Sequence, residues 1–240
     1  MSRSMHVPFM ICALGAALVS GVKVEAQQMR QDGVGLEAAQ IARRPVVRTP
    51  PRRGLGVRAF FLTDVTQMTA TESFTAVASP RFTGVGGGAE LLRLWHGLFL
   101  RVAGSTANRT GERAVVFDKE AVRIGVPLKL TVSPLEVGAG WRMESGRTRA
   151  LGSYVGGGLL RLRYKEASQF AVAGENVDES FNGYFVFGGV DFTIGRALVV
   201  GGEAQFRAVP NAIGQQGVSQ AFGETDLGGA TVRFLVGIRH

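Results

Sequence analysis

The residues able to do acid–base, nucleophilic or metal chemistry are few in this chain and poorly grouped. There are three histidines, His6, His96 and His240, and one cysteine, Cys12. A thiolate zinc site needs several such ligands, and a histidine base needs a partner within hydrogen-bond reach. The spacings of a nucleophile elbow, a zinc-protease helix and a phosphate loop do not occur. Gly84-Val85-Gly86-Gly87-Gly88 lacks the Lys-Ser/Thr that a phosphate loop requires. It lies in an alternating segment, so close backbone packing or sheet curvature is the expected use. Glu175, Asp178 and Glu179 form the candidate site for a divalent cation, because hard cations take carboxylate oxygens. A solvated acidic loop is the competing reading of the same residues. No catalytic residue, no cofactor-binding residue and no cofactor is expected.

The other charged residues fall into a pattern that is structural rather than catalytic. From Gly54 onward the dominant hydrophobic period is two, the signature of half-buried strands. Eight segments carry it, at 54–66, 81–93, 97–107, 121–143, 150–166, 181–194, 197–209 and 225–239. In 197–209, Leu198, Val200, Gly202, Ala204, Phe206 and Ala208 share one face, and Glu203, Gln205 and Arg207 the other. In 150–166, Tyr154, Leu160, Leu162 and Tyr164 oppose Ser153, Arg161 and Arg163. The fourth segment changes phase between Leu128-Leu130-Val132 and Leu135-Val137-Ala139-Trp141. That predicts a β-bulge near Ser133-Pro134, because proline cannot serve the ladder there.

Eight strands of this length predict an all-β chain, an eight-stranded antiparallel up-and-down β-barrel. Each segment exceeds the roughly 9–11 residues that a tilted transmembrane strand needs. The connections 93–97, 144–150 and 195–196 are short, whereas 67–80, 108–120, 167–180 and 210–224 are long and polar. This asymmetry points to a transmembrane barrel with short periplasmic turns and long extracellular loops. The apolar face then meets lipid and the polar face lines the interior. Arg58, Asp64, Glu90, Arg101, Lys129, Glu136, Arg161, Arg163, Asp191, Glu203, Arg207 and Arg233 become an interior charge network able to plug the barrel. Interior glycines such as Gly157 and Gly189 are expected to make room for the long arginines. Trp95 and Trp141 fall at the turn side, where an interfacial aromatic girdle belongs.

Residues 1–26 read as a secretory signal peptide, with Arg3 as the charged start, an apolar stretch over 7–19 and a small residue, Ala26, at the cleavage site. Residues 27–53 are rich in arginine and proline and read as a basic periplasmic linker, disordered and able to touch the cell wall. Residues 54–240 form the barrel. The formal charge of +8 reflects the linker and the arginine-rich polar face. An exported chain gives that charge no nucleic-acid partner.

Signal peptide, eight amphipathic strands and the closing run from Gly228 to His240 together resemble the small outer-membrane β-barrel proteins of Gram-negative bacteria, of the OmpA, OmpX and OmpW type. The resemblance covers about residues 54–240. It implies that Phe234, Val236 and Ile238 act as the C-terminal assembly signal, with His240 where the family usually ends in phenylalanine. It also implies outer-membrane lipid, lipopolysaccharide and the barrel assembly machinery as partners, and the outer membrane of a Gram-negative bacterium as location. Lipid A-modifying barrels of this kind place a histidine near the outer leaflet, whereas His96 and His240 fall at the turn end. The expected function is therefore non-enzymatic, a structural or interaction role with surface-exposed loops. The alternatives are a narrow pore, or passage of small hydrophobic molecules past Phe185 and Phe187. A further alternative is a soluble secreted lipocalin-like barrel with its faces reversed.

Overall fold

The computed structural model describes residues 54–117, 120–145, 150–168, 170, 176–215 and 217–240. The expected signal peptide, the linker and Glu175 lie outside the described residues. Eight strands follow in chain order: β1 (Gly56–Met68), β2 (Arg81–Leu92), β3 (Leu98–Phe117), β4 (Glu120–Ser145), β5 (Leu151–Ala167), β6 (Val177–Ile194), β7 (Leu198–Ala208) and β8 (Gly229–Arg239). Each pairs antiparallel with the next, and β8 closes on β1, giving a closed barrel. Closure follows from the two-residue period: a sheet with opposite chemistry on its two faces leaves no exposed ladder edge once it meets itself. Two short helices lie in the long connections, α1 (Thr71–Val77) after β1 and α2 (Gly217–Phe222) after β7.

Two sequence expectations are corrected. The segment 108–120, expected as a loop, is a continuation of the β3–β4 hairpin, paired as far as Phe117 and Glu120. The bulge expected at Ser133-Pro134 is absent, since β4 keeps one register with β5 from Lys129 to Ser145. The register shift of this hairpin lies instead between Glu112 and Ala114, opposite Gly125, whose φ of 70° suits only a glycine comfortably.

The apparent phase change in β4 has a different cause. Leu128, Leu130, Val132, Pro134, Glu136 and Arg142 all face inward, while Lys129, Thr131 and Ser133 are outward-facing with Leu135, Val137 and Trp141. The strand does not slip; the chemistry of its environment inverts. Toward the turn end the outside is apolar and the inside charged. Toward the loop end the inside is apolar and the outside polar. β5 repeats this, with Leu160, Leu162 and Tyr164 buried and Arg161, Arg163 and Lys165 exposed. The inward apolar residues of the loop end join one cluster with Met68, Phe74, Phe82, Val209 and Leu227.

The glycines are explained by the aromatic rings inside the barrel. Phe60 lies opposite Gly88 and Gly237, Phe99 opposite Gly140, Phe187 opposite Gly156, and Tyr154 opposite Gly189. A Cβ on Gly140 or Gly156 would sit 2.6 Å from the facing phenylalanine ring. Each ring thus lies flat over a strand that offers no side chain. Gly189 makes room for Tyr154 rather than for an arginine, and Gly157 falls on the outer face of β5, facing Val186.

The inversion predicts different costs for adjacent residues of β4. Leu130→Ala should destabilise the barrel by about 2–5 kcal/mol through its cavity. Lys129→Ala should stay within about 0.5 kcal/mol. Urea unfolding in detergent micelles, followed by tryptophan fluorescence, measures both.

Candidate functional site

Three layers of side chains define what the barrel can do. The first is an outward apolar band. It runs over residues 135–143 on β4, 151–159 on β5, 184–194 on β6, 198–206 on β7 and 230–238 on β8. Its members are unusually open for apolar side chains: Leu159 is 72% and Val232 67% exposed. These runs match the roughly 9–11 residues with which a tilted strand crosses a bilayer core. Phe234, Val236 and Ile238 belong to this band and point outward. His240 continues the ladder by exchanging backbone hydrogen bonds with Val57. Trp95 and Trp141 are exposed at the turn end and meet edge to face at 6.1 Å.

The second layer is the interior network behind the band. Arg58, Arg101, Arg207 and Arg233 are buried with Asp64, Glu90, Glu136, Asp191 and Glu203, as their strand parity requires. Arg142 joins them. It is absent from the interior set expected above, although it shares the parity of Glu136 and alternation alone places it on the inner face. Among the described residues this gives five buried arginines against five buried carboxylates, a neutral set. Neutrality matters because an unpaired ion here costs several kcal/mol.

The pairs follow the register and then cross the lumen. Arg58 lies opposite Glu90, and Glu90 opposite Arg101. Glu203 lies opposite Arg233, and Arg233 opposite Asp64. Across the lumen, Arg101 reaches Glu203, Arg58 reaches Asp191 at 2.5 Å, and Arg207 and Arg233 meet Glu136 at 2.9 and 2.7 Å. Arg142 donates to Asp191 at 2.6 Å, and the Ser105 hydroxyl donates to Asp64 at 2.9 Å. Aromatic faces cover the guanidinium planes. Arg101 stacks 4.9 Å from Phe60 and 4.8 Å from Phe187, and Arg142 lies 4.8 Å over Tyr154. Such contacts are worth about 2 kcal/mol or more where water is excluded.

Lys129, Arg161 and Arg163 do not belong to this network. All three are exposed on the outer wall at the loop end. An outer face that is apolar along each strand's whole length would put them inside, and the inversion breaks that rule.

The third layer is the lid. Phe74 of α1 is buried against Phe82 and Tyr164, with ring centroids 5.3 and 6.3 Å apart. The Glu224 carboxylate accepts from the backbone N–H of Glu72 and Ser73 at 3.0 and 2.8 Å. Arg123 of the β3–β4 hairpin donates to the Thr75 and Ala76 carbonyls at 2.7 and 2.8 Å. The β7–β8 connection and the β3–β4 hairpin thus hold α1 over the loop end. The strand pattern carried no sign of α1 or α2, because seven and six residues are too few for a helical period.

The candidate cation site is not assembled among the described residues. Asp178 and Glu179 lie on opposite faces of β6, and no cluster of three metal-ligating side chains forms. Asp178 instead accepts two hydrogen bonds from Arg163, both at 2.7 Å. This pair stands above the apolar band, and the Arg163 guanidinium holds the Asp178 carboxyl below its ordinary value. His96 lines an open recess of about 260 Å³ at the turn end with Arg93, Phe99, Arg142 and Glu144. The Glu144 carboxylate there is held by Arg239 at 2.8 Å. None of these lining residues is a serine, threonine or cysteine nucleophile.

No protein-family model and no curated protein sequence matches the chain. Solved eight-stranded outer-membrane barrels are similar to it. The attachment invasion locus protein Ail of Yersinia pestis shares 12% identity over 78% of this chain and 97% of its own, with a TM-score of 0.46. Neisserial surface protein A shares 11% over 77% and 95%, with a TM-score of 0.45. The N-terminal barrel of Pseudomonas aeruginosa OprF shares 10% over 76% and 97%, with a TM-score of 0.41.

Two outcomes follow from the charges. Glu136→Gln leaves Arg207 and Arg233 without their shared carboxylate and should destabilise the barrel by about 3–5 kcal/mol. The urea midpoint in micelles reads that loss. In Arg163→Gln, Asp178 should titrate at a higher pH than in the wild type, followed by its carboxyl carbon shift in NMR. Because its folded value is depressed, the pair's contribution is present above the ordinary carboxylate range and fades as pH falls through the folded value.

Proposed function

We propose that the chain is a non-enzymatic outer-membrane β-barrel protein whose barrel is a closed anchor and whose loop end is its working surface. The observation that carries this reading is an apolar band of bilayer height wrapped around a charge-neutral, ion-paired interior. A soluble lipocalin-like barrel would expose large apolar side chains to water around its whole girth, which folded soluble proteins avoid. Lipid contact turns the same band from a liability into the main source of insertion energy.

The interior favours an anchor over a pore. Ion pairs reach across the lumen at several positions, and the apolar cluster with α1 stands over the loop end. Phe185 and Phe187 favour a packing role over a ligand pocket. They stack on each other at 5.6 Å, and Phe187 also covers Arg101. His96 lines a recess whose other lining residues, Leu92, Arg93, Gly97, Phe99, Arg142 and Glu144, include no nucleophile, which supports the non-enzymatic reading.

A heat-dependent mobility shift of the outer-membrane fraction on a denaturing gel is the expected sign of the inserted barrel. Recovery of soluble protein without a shift would overturn the membrane reading. Val155→Arg, at mid-height of the band on β5, should lower stability in lipid by about 2–4 kcal/mol. In planar bilayers the wild type should show no stable conductance. A steady open channel would reject the closed-anchor reading and support the pore.

A further inference from the structure

The cations that leave the interior form an ordered column outside it. On β5, Arg161, Arg163 and Lys165 succeed one another on the outer face, directly above Leu159, the last residue of the apolar run. The register sets polar groups on both sides of Arg163 and Lys165, and Leu135 on the β4 side of Arg161. Arg161 lies beside Asn182, Arg163 between Ser133 and Ser180, and Lys165 between Thr131 and Asp178. Among the described residues, no other strand places two outward cations in succession above its apolar run. In the row of Arg163, β4 offers Ser133 and β3 Thr106.

Height selects the ligand. Two residues of a strand tilted by about 45° rise about 5 Å. Arg161 therefore stands about 5 Å and Arg163 about 10 Å above the apolar edge, whereas the headgroup layer is about 5–8 Å thick on each side. The two strand positions, about 6.6 Å apart, straddle the outer boundary of that layer. Arginine donates in a planar fork that fits phosphate oxygens. Arg163 spends its Nε and one terminal nitrogen on Asp178, which fixes the plane of the group and leaves the other terminal nitrogen available. Asp178 sits one row farther from the band, on the water side of the column. Among the described residues, Arg161 has no carboxylate partner.

We propose that Arg161 and Arg163 of β5 bind the phosphate of an anionic lipid headgroup in the leaflet at the loop end of the barrel. This rests on the membrane reading above and adds a site to it. A phosphate there would dock the barrel against one lipid on the β4–β5–β6 side and fix its depth. Ser133, Ser180 and Asn182 supply the neutral donors that complete its shell.

The test uses the full chain in nanodiscs of phosphatidylcholine, with or without diphosphoryl lipid A, and native mass spectrometry after transfer to detergent. The wild type should retain lipid A and shed phosphatidylcholine, and added salt should weaken the retention. Arg161→Gln/Arg163→Gln should retain lipid A about tenfold more weakly, as expected for lost charge-assisted hydrogen bonds, with its heat-dependent gel shift unchanged. Arg161→Lys/Arg163→Lys should recover part of the binding. Equal retention by the glutamine variant, or equal retention of phosphatidylcholine by the wild type, would overturn the site. Complete displacement of lipid A by inorganic phosphate would instead assign it to a soluble phosphate. Failure of the wild type to insert into nanodiscs of either composition is a separate result, and it would overturn the membrane reading itself.

Discussion

Buried arginine–carboxylate pairing is the constraint on which the rest of this structure depends. Five arginines and five carboxylates lie inside one closed sheet, almost wholly removed from water. Ions in such a place are tolerated only when each finds an opposite charge in good geometry. The barrel meets this demand by putting opposite charges on neighbouring strands and then joining distant strands across the lumen. Register, closure and charge are therefore one arrangement. A slip of one residue in any strand but β5 would turn its ions toward the apolar outside and its apolar residues into the network.

The aromatic rings and the glycines serve the same end. Guanidinium groups as large as Arg101 and Arg142 need their planes covered as well as their donors matched. Phe60, Phe99, Tyr154 and Phe187 cover them, and each lies over a glycine of an adjacent strand. This explains Gly88, Gly140, Gly156, Gly189 and Gly237, which stand within strands, where glycine is ordinarily unfavourable. The wall is thin where the contents are thick.

Above the apolar band the same strands adopt the opposite solution. With water outside, the polar residues turn out and Leu128, Leu130, Leu160 and Leu162 turn in, under the cover of Phe74 and α1. The wall there is built as in a soluble barrel, continuous with a wall suited to lipid. The arginines at the junction belong to neither interior, which gives that level of the surface its chemical character.

The strands, their order, the short turns and most of the interior ions are legible in the sequence, because a two-residue period and turn composition are local properties. Arg58, Glu90, Arg101, Glu203 and Arg233 could be assigned to the inner face from alternation alone. Where the inside changes from charged to apolar is settled only in the folded barrel. Alternation distinguishes two faces but carries no label for which is inner, and the label reverses within β4 and β5. Alternation alone therefore puts Lys129, Arg161 and Arg163 inside, and the phase change at Ser133-Pro134 that predicts a bulge is the same reversal. The partners of each ion, the ring above each glycine and the lid over the loop end also needed the closed barrel. Those contacts join residues that are far apart in the chain and become neighbours only when β8 meets β1.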